Sequence, residues 1–163
     1  MPAATTAALV CLILYVSDGD SVTARCRSEQ GSAWQTPIRI ADIDAPELHQ
    51  AFGMASRTQL AQLCLHREAL VTPQAHDIYG RMVARLQCGE QDAAAAQLQS
   101  GMAWLYTRDT ARKAALVPLE AGARHERAGL WSQKRPMAPW NYRKRYGTHG
   151  SSGQPRADSA AAQ

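Results

Sequence analysis

Residues 8–26 read ALVCLILYVSDGDSVTARC, and their reading decides the architecture. The run Ala7–Val16 is far short of the roughly 20 apolar residues that a membrane helix needs. It has neither a basic flank nor an Ala-x-Ala cleavage pattern, so it reads as a buried strand over Ala8–Val16, not as a signal peptide. Asp18-Gly19 is a hairpin signal, since a tight turn of this kind favours residues that accept φ > 0. Ser21–Cys26 alternates as the returning strand.

Further strands follow outward from this hairpin. Ile38–Ala41 predicts a third short strand, stopped by Pro46, which lacks the N–H that a ladder needs. Ala55, Leu60, Leu63 and Cys64 share one face at helical spacing, which predicts a helix over Met54–His66. A fourth strand, Ala69–Thr72, is expected to end at Pro73, and Met82–Leu86 predicts a fifth. Asp92 caps a short helix over Ala93–Ser100, with Gly101 at its C-terminal cap. A last helix ends near Ala128-Gly129, and Pro118 predicts either a kink or a helix that starts only there. Five strands, with a helix after the third, suggest an α+β fold built on a small closed barrel; a five-stranded OB-type barrel with about three helices fits this order, and periodicity alone does not choose it over other α+β folds.

The chain of 163 residues is 45% hydrophobic and 20% charged, which excludes a wholly disordered protein and suits one domain. Its net charge of +4 is compatible with a polyanionic partner. Residues 7–133 read as the domain. Residues 134–163 read as a disordered tail, first basic (Lys134, Arg135, Arg143, Lys144, Arg145), then rich in Gly, Ser and Ala. Cys11, Cys26, Cys64 and Cys88 contain no CxxC pair, so two disulfides or four buried thiols are both open. None of the five His residues has metal-site spacing.

Three fragments carry chemistry. Asp18-Gly19-Asp20-Ser21 places two short carboxylates on a turn. Arg39-Ile40-Ala41-Asp42-Ile43-Asp44-Ala45-Pro46-Glu47 adds an arginine and three acids at a bend, and spacing leaves open whether Asp42 or Asp44 would hold a cation. Asp77-Ile78-Tyr79-Gly80-Arg81 puts an arginine at the mouth of a turn, where its planar fork can grip two phosphate oxygens. Taken alone, these are a hairpin, a solvated strand end and a surface arginine. Taken together they are the parts of phosphodiester cleavage: acids for a hard cation, a carboxylate to handle water, and cations for the developing phosphate charge.

With Gly101-Met102-Ala103-Trp104 and Gly129-Leu130-Trp131, these fragments resemble, in type and order over residues 8–133, the staphylococcal nuclease family. The resemblance implies a calcium-dependent nuclease that cuts DNA and RNA with little sequence preference and leaves 3′-phosphate ends. It implies Asp20 and Asp44 as Ca2+ ligands beside the Ala45 carbonyl, and so favours Asp44 over Asp42. Glu47 becomes the general base or the orienter of the attacking water, and Arg39 and Arg81 the phosphate clamps. Tyr79 would lie by a terminal phosphate, and Asp18 behind the ligands. Ser21 and Ala45 stand where that family's staphylococcal enzyme has Thr, and Ile78 replaces a basic residue. Trp104 and Trp131 read as core, and Trp140 and Tyr142 as base-stacking groups or as parts of a tail packed on the barrel. In such a barrel Cys64 can approach Cys88, and Cys11 mirrors Cys26 across the hairpin. The expected partner is nucleic acid, with no membrane, for a monomer; the alternative is a non-catalytic OB-fold nucleic-acid-binding module.

Overall fold

The Asp18-Gly19 turn joins two long antiparallel strands, β1 (Leu9–Asp18) and β2 (Ser21–Arg27). The computed structural model describes residues 7–147. Register shifts after Ile13 and after Val16 bend β1, as bulges do, and let Cys11, Ile13 and Val16 all face inward. β2 pairs with β3 (Ala33–Ile40), and β1 pairs on its other side with β5 (Glu68–His76). β5 pairs with β6 (Met82–Cys88), and β6 runs parallel to β3 through Ile38↔Met82 and Ile40↔Ala84. That last pairing closes a five-stranded barrel and leaves its core to Ile13, Val22, Ile38, Ile40, Val71 and Leu86. The short strands β4 (Ile43–Asp44) and β8 (Trp104–Leu105) pair with each other, and β7 (Gln91–Asp92) turns back to pair antiparallel with the end of β6.

Helix α1 (Gly53–Cys64) follows β4 and buries Leu60 and Cys64. Helix α2 (Ala93–Gln99) is capped by the Asp92 carboxylate, which accepts from the Ala95 N–H at 3.0 Å. Helix α3 spans Thr110–His125, and α4 spans Pro139–Tyr146. None of the described helices is long and apolar enough to cross a membrane. Gly101 and Gly129 meet back to back between α2 and a 3-10 turn: a Cβ on Gly129 would lie 2.3 Å from the Gly101 carbonyl oxygen.

Three expectations change. Pro73 does not end its strand, because β1 covers β5 only as far as Val71, so no neighbour on that edge needs the missing N–H. α3 does not begin at Pro118 but nine residues earlier at the Asp109 cap; Pro118 and Ala114 are exposed, so the carbonyl that the proline leaves unbonded faces water. The basic segment grouped with the disordered tail is helical over Pro139–Tyr146, so the described residues hold four α-helices; residues 148–163 lie outside the described residues.

Both disulfides form, Cys11–Cys26 across the hairpin and Cys64–Cys88 from α1 to β6. The second closes a separation of 24 residues, so Cys64→Ser with Cys88→Ser is expected to lower unfolding free energy by about 2–4 kcal/mol. Urea unfolding without reductant measures it.

Candidate active site

The β2–β3 ladder sets Ser21 opposite Arg39, so the acidic turn and the arginine strand share one end of the barrel. Asp20 is 6% exposed, and its Oδ2 accepts the Ala45 N–H at 2.7 Å, which ties the hairpin to the 44–47 bend. Its Oδ1 accepts from Ser21 Oγ at 3.0 Å, so the hydroxyl kept at position 21 has a use. Asp18 Oδ1 accepts the Asp20 N–H at 3.0 Å. Asp44 is 2% exposed within β4, opposite Trp104. Arg39 Nη2 lies 3.6 Å from both Asp20 Oδ2 and Asp44 Oδ1.

Gly19 does not take a positive φ; it is needed for space. A Cβ there would lie 1.8 Å from Ser56 Oγ and 2.8 Å from the Ala45 Cβ. Gln97, fully buried on α2, donates through Nε2 to the Gly19 carbonyl at 2.7 Å and to the Ser56 carbonyl at 3.0 Å. Neither Gln97 nor Ser56 stands out in the sequence, where a glutamine among helical alanines looks like a solvated position.

Asp42 and Asp44 part company. Asp42 has φ 75°, and its side chain accepts from Thr107 Oγ1 at 2.7 Å and from Arg112 Nε at 2.9 Å, away from the other acids. Arg81 and Tyr79 form a separate group. Asp77 Oδ2 accepts from Arg81 Nε at 2.7 Å, the guanidinium covers the Tyr79 ring at 5.6 Å, and Tyr79 is 75% exposed. Parallel pairing sets Met82 beside Ile38 and Val83 beside Arg39, so this loop enters β6 within a few residues of Arg39.

Arg143, from the segment expected to be disordered, reaches the acids. Its Nη2 donates to Asp44 Oδ2 at 2.7 Å, and its Nη1 to Asp44 Oδ1 at 3.0 Å and to Glu47 Oε1 at 2.8 Å. Helix α4 is seated by Trp140, whose ring lies 5.5 Å from Trp104 and 5.7 Å from Tyr106, and Trp104 packs in turn on buried Trp131 at 4.5 Å. Gln50 links the two parts: its Oε1 accepts the Glu47 N–H at 3.1 Å and its Nε2 donates to the Met137 carbonyl at 2.7 Å. With Asp44 and Glu47 held in this way, no set of three acidic, His or Cys side chains among the described residues closes around one point.

The electrostatics follow from this crowding. Burial and the Asp20 charge push the Asp18 carboxyl up to about 7. Burial works against the Arg39 charge, but Asp20, Asp44 and Asp18 outweigh it and raise its pKa. The Asp44 hydrogen bonds raise that of Arg143, against partial burial and with help from Glu47.

Because the folded pKa of Asp18 is raised, its favourable contribution is whole below about 4 and is lost as pH rises through about 7. In chelator, Asp18→Asn is therefore expected to be more stable than wild type by an amount that grows from about pH 4 and levels off above about pH 7; thermal melts across that range measure it. Gln97→Leu strands the buried Gly19 carbonyl and should cost about 1–3 kcal/mol in urea unfolding.

The family model described as "Staphylococcal nuclease homologue" matches residues 37–133. A micrococcal nuclease of Shigella flexneri is 32% identical over 142 residues, covering 81% of this chain and 79% of that protein. An uncharacterized endonuclease of Haemophilus influenzae is 28% identical over 134 residues, covering 82% and 72%. The staphylococcal-like nuclease CAN1 of Arabidopsis thaliana is 31% identical over 118 residues, 72% of this chain but 36% of that longer protein. Barrel, acidic turn and sequence relatives agree: the chain belongs to the staphylococcal nuclease homologue family.

Proposed function

We propose that this chain is a calcium-dependent nuclease that hydrolyses phosphodiester bonds of DNA or RNA with little sequence preference and leaves 3′-phosphate ends. The observation that carries the reading is the convergence of Asp20, Asp44, Glu47 and Arg39 at one end of the barrel. The donor set fits a hard divalent cation. Asp20 and Asp44 offer carboxylate oxygens, Ala45 a backbone carbonyl, and four acids face two guanidiniums, Arg39 and Arg143. When bound, the ion supplies positive charge to the phosphate oxygens as they gather negative charge.

Glu47 takes the proton of the attacking water or orients it. Water oxygen bonds to phosphorus as the bond to the 5′ oxygen breaks, giving a 5′-hydroxyl and a 3′-phosphate. Arg39 stabilises the charge on the phosphate from the acid side. Among the described residues Asp77 engages Arg81 through Nε alone, which leaves the Nη groups for a phosphate. Tyr79 stands exposed beside it to contact a terminal phosphate. The two disulfides suit an oxidising compartment.

Cleavage of single-stranded DNA in Ca2+, against chelator, tests the reading. Wild type should cut only with Ca2+, Glu47→Gln should not cut, and Arg39→Ala or Arg81→Ala should each lose roughly 10²-fold or more. Tight, salt-sensitive binding without cleavage would make the chain a nucleic-acid-binding module instead.

A further inference from the structure

We infer that Arg143 is a further residue of the active site, one that sets its affinity for divalent cations by holding the oxygens that such an ion would take. The inference rests on the metal-dependent reading above. Arg143 spans both oxygens of Asp44 and one of Glu47 with its planar fork, at 2.7, 3.0 and 2.8 Å. Asp44 is almost wholly buried, Arg143 donates to both of its oxygens and Arg39 stands 3.6 Å from Oδ1, so little of the carboxylate is left open. A cation that reaches either oxygen meets the like charge of the Arg143 guanidinium already seated on it. Guanidinium and cation therefore compete for the same carboxylate, and the pair is of the strong, charge-assisted and bidentate kind.

The two arginines are not equivalent in this contest. Arg39 is 18% exposed and stands 3.6 Å from its acids, while Arg143 is 30% exposed and bonds more closely. Arg143 thus both holds Asp44 more tightly and has an open side through which to leave. Its helix need not leave with it. Pro139 is buried, Trp140 sits on Trp104 and Tyr106, and the chain at Met137 is tied to the Glu47 loop through Gln50. The guanidinium therefore stays at high local concentration and returns when the ion departs. Lys144 and Arg145 are neighbours in sequence, but the acids bond to Arg143 alone among the three.

Isothermal titration of the nucleic-acid-free protein with CaCl2 tests this directly. Arg143→Ala should tighten the Ca2+ Kd about tenfold or more, since a charge-assisted bond of ~1.5 kcal/mol or above is removed. Arg143→Lys keeps the charge but loses the fork, and should tighten it by less. Lys144→Ala should change it less than about twofold, and Asp20→Ala should abolish it. As a second readout, Arg143→Ala should melt below wild type in chelator, because buried Asp44 then keeps only the longer contact to Arg39, and the gap should shrink in saturating Ca2+. An unchanged or weaker Kd in Arg143→Ala overturns the inference and leaves the nuclease reading standing. Equal tightening in Lys144→Ala also overturns it, because diffuse charge would then explain the effect. No Ca2+ uptake by any variant overturns both the inference and the metal-dependent reading.

Discussion

Mutual repulsion among Asp18, Asp20, Asp44 and Glu47 is the constraint that the rest of this structure answers. Carboxylates this close cannot all stay charged and buried without compensation. Compensation comes from four sides. The Ala45 N–H bonds to Asp20, Arg39 faces Asp20 and Asp44, and Arg143 clasps Asp44 and Glu47. Asp18 answers by holding its proton up to about pH 7. These groups come from three separate segments, the hairpin, the 39–47 stretch and α4, so the acids can be gathered only when the whole fold is in place.

The barrel supplies that gathering through a few register positions. Ser21 opposite Arg39 brings the first two fragments together, and the parallel pairing of Ile38 with Met82 brings the third alongside the Arg39 strand. Neither pairing is local: the second joins residues 44 positions apart in the chain, so closure of the barrel and assembly of the site are one event. The close approach of Gly19 to Ser56 and Ala45 then locks the turn against α1.

Much of this was legible in the sequence, for physical reasons. Alternation around Asp18-Gly19, the Asp92 cap and the order of strands and helices are local signals, and they gave the barrel. Asp20, Asp44, Glu47 and Arg39 became candidates only because three fragments, each bland alone, occur together in the order of a known family, and that resemblance, not spacing, favoured Asp44 over Asp42. Arg143 was hidden, because a run such as Arg143-Lys144-Arg145 looks solvated until a helix aims one member inward. Gln97 was hidden for the opposite reason: a single polar residue on a small helix shows no periodicity that marks it as buried. Pro73 and Pro118 misled because the rule for proline concerns a hydrogen bond, and at both places the bond was not needed.

Asp42 shows how the support for the site is organised. Two acids two residues apart would share a face if both lay on one strand, but Asp42 stands in the turn before β4. The left-handed backbone at Asp42 turns its side chain toward α3, a conformation that costs an aspartate little when local bonds reward it. There it holds Thr107 and Arg112, and Arg112 also pairs with Asp92. Asp92 is the cap of α2, and α2 carries Gln97 to the Gly19 carbonyl. One acid of the motif thus sits in the site, while its neighbour anchors a chain of contacts that returns, through two helices, to the turn on which Asp18 and Asp20 stand. The same short stretch of sequence builds both the charge cluster and the frame that holds it.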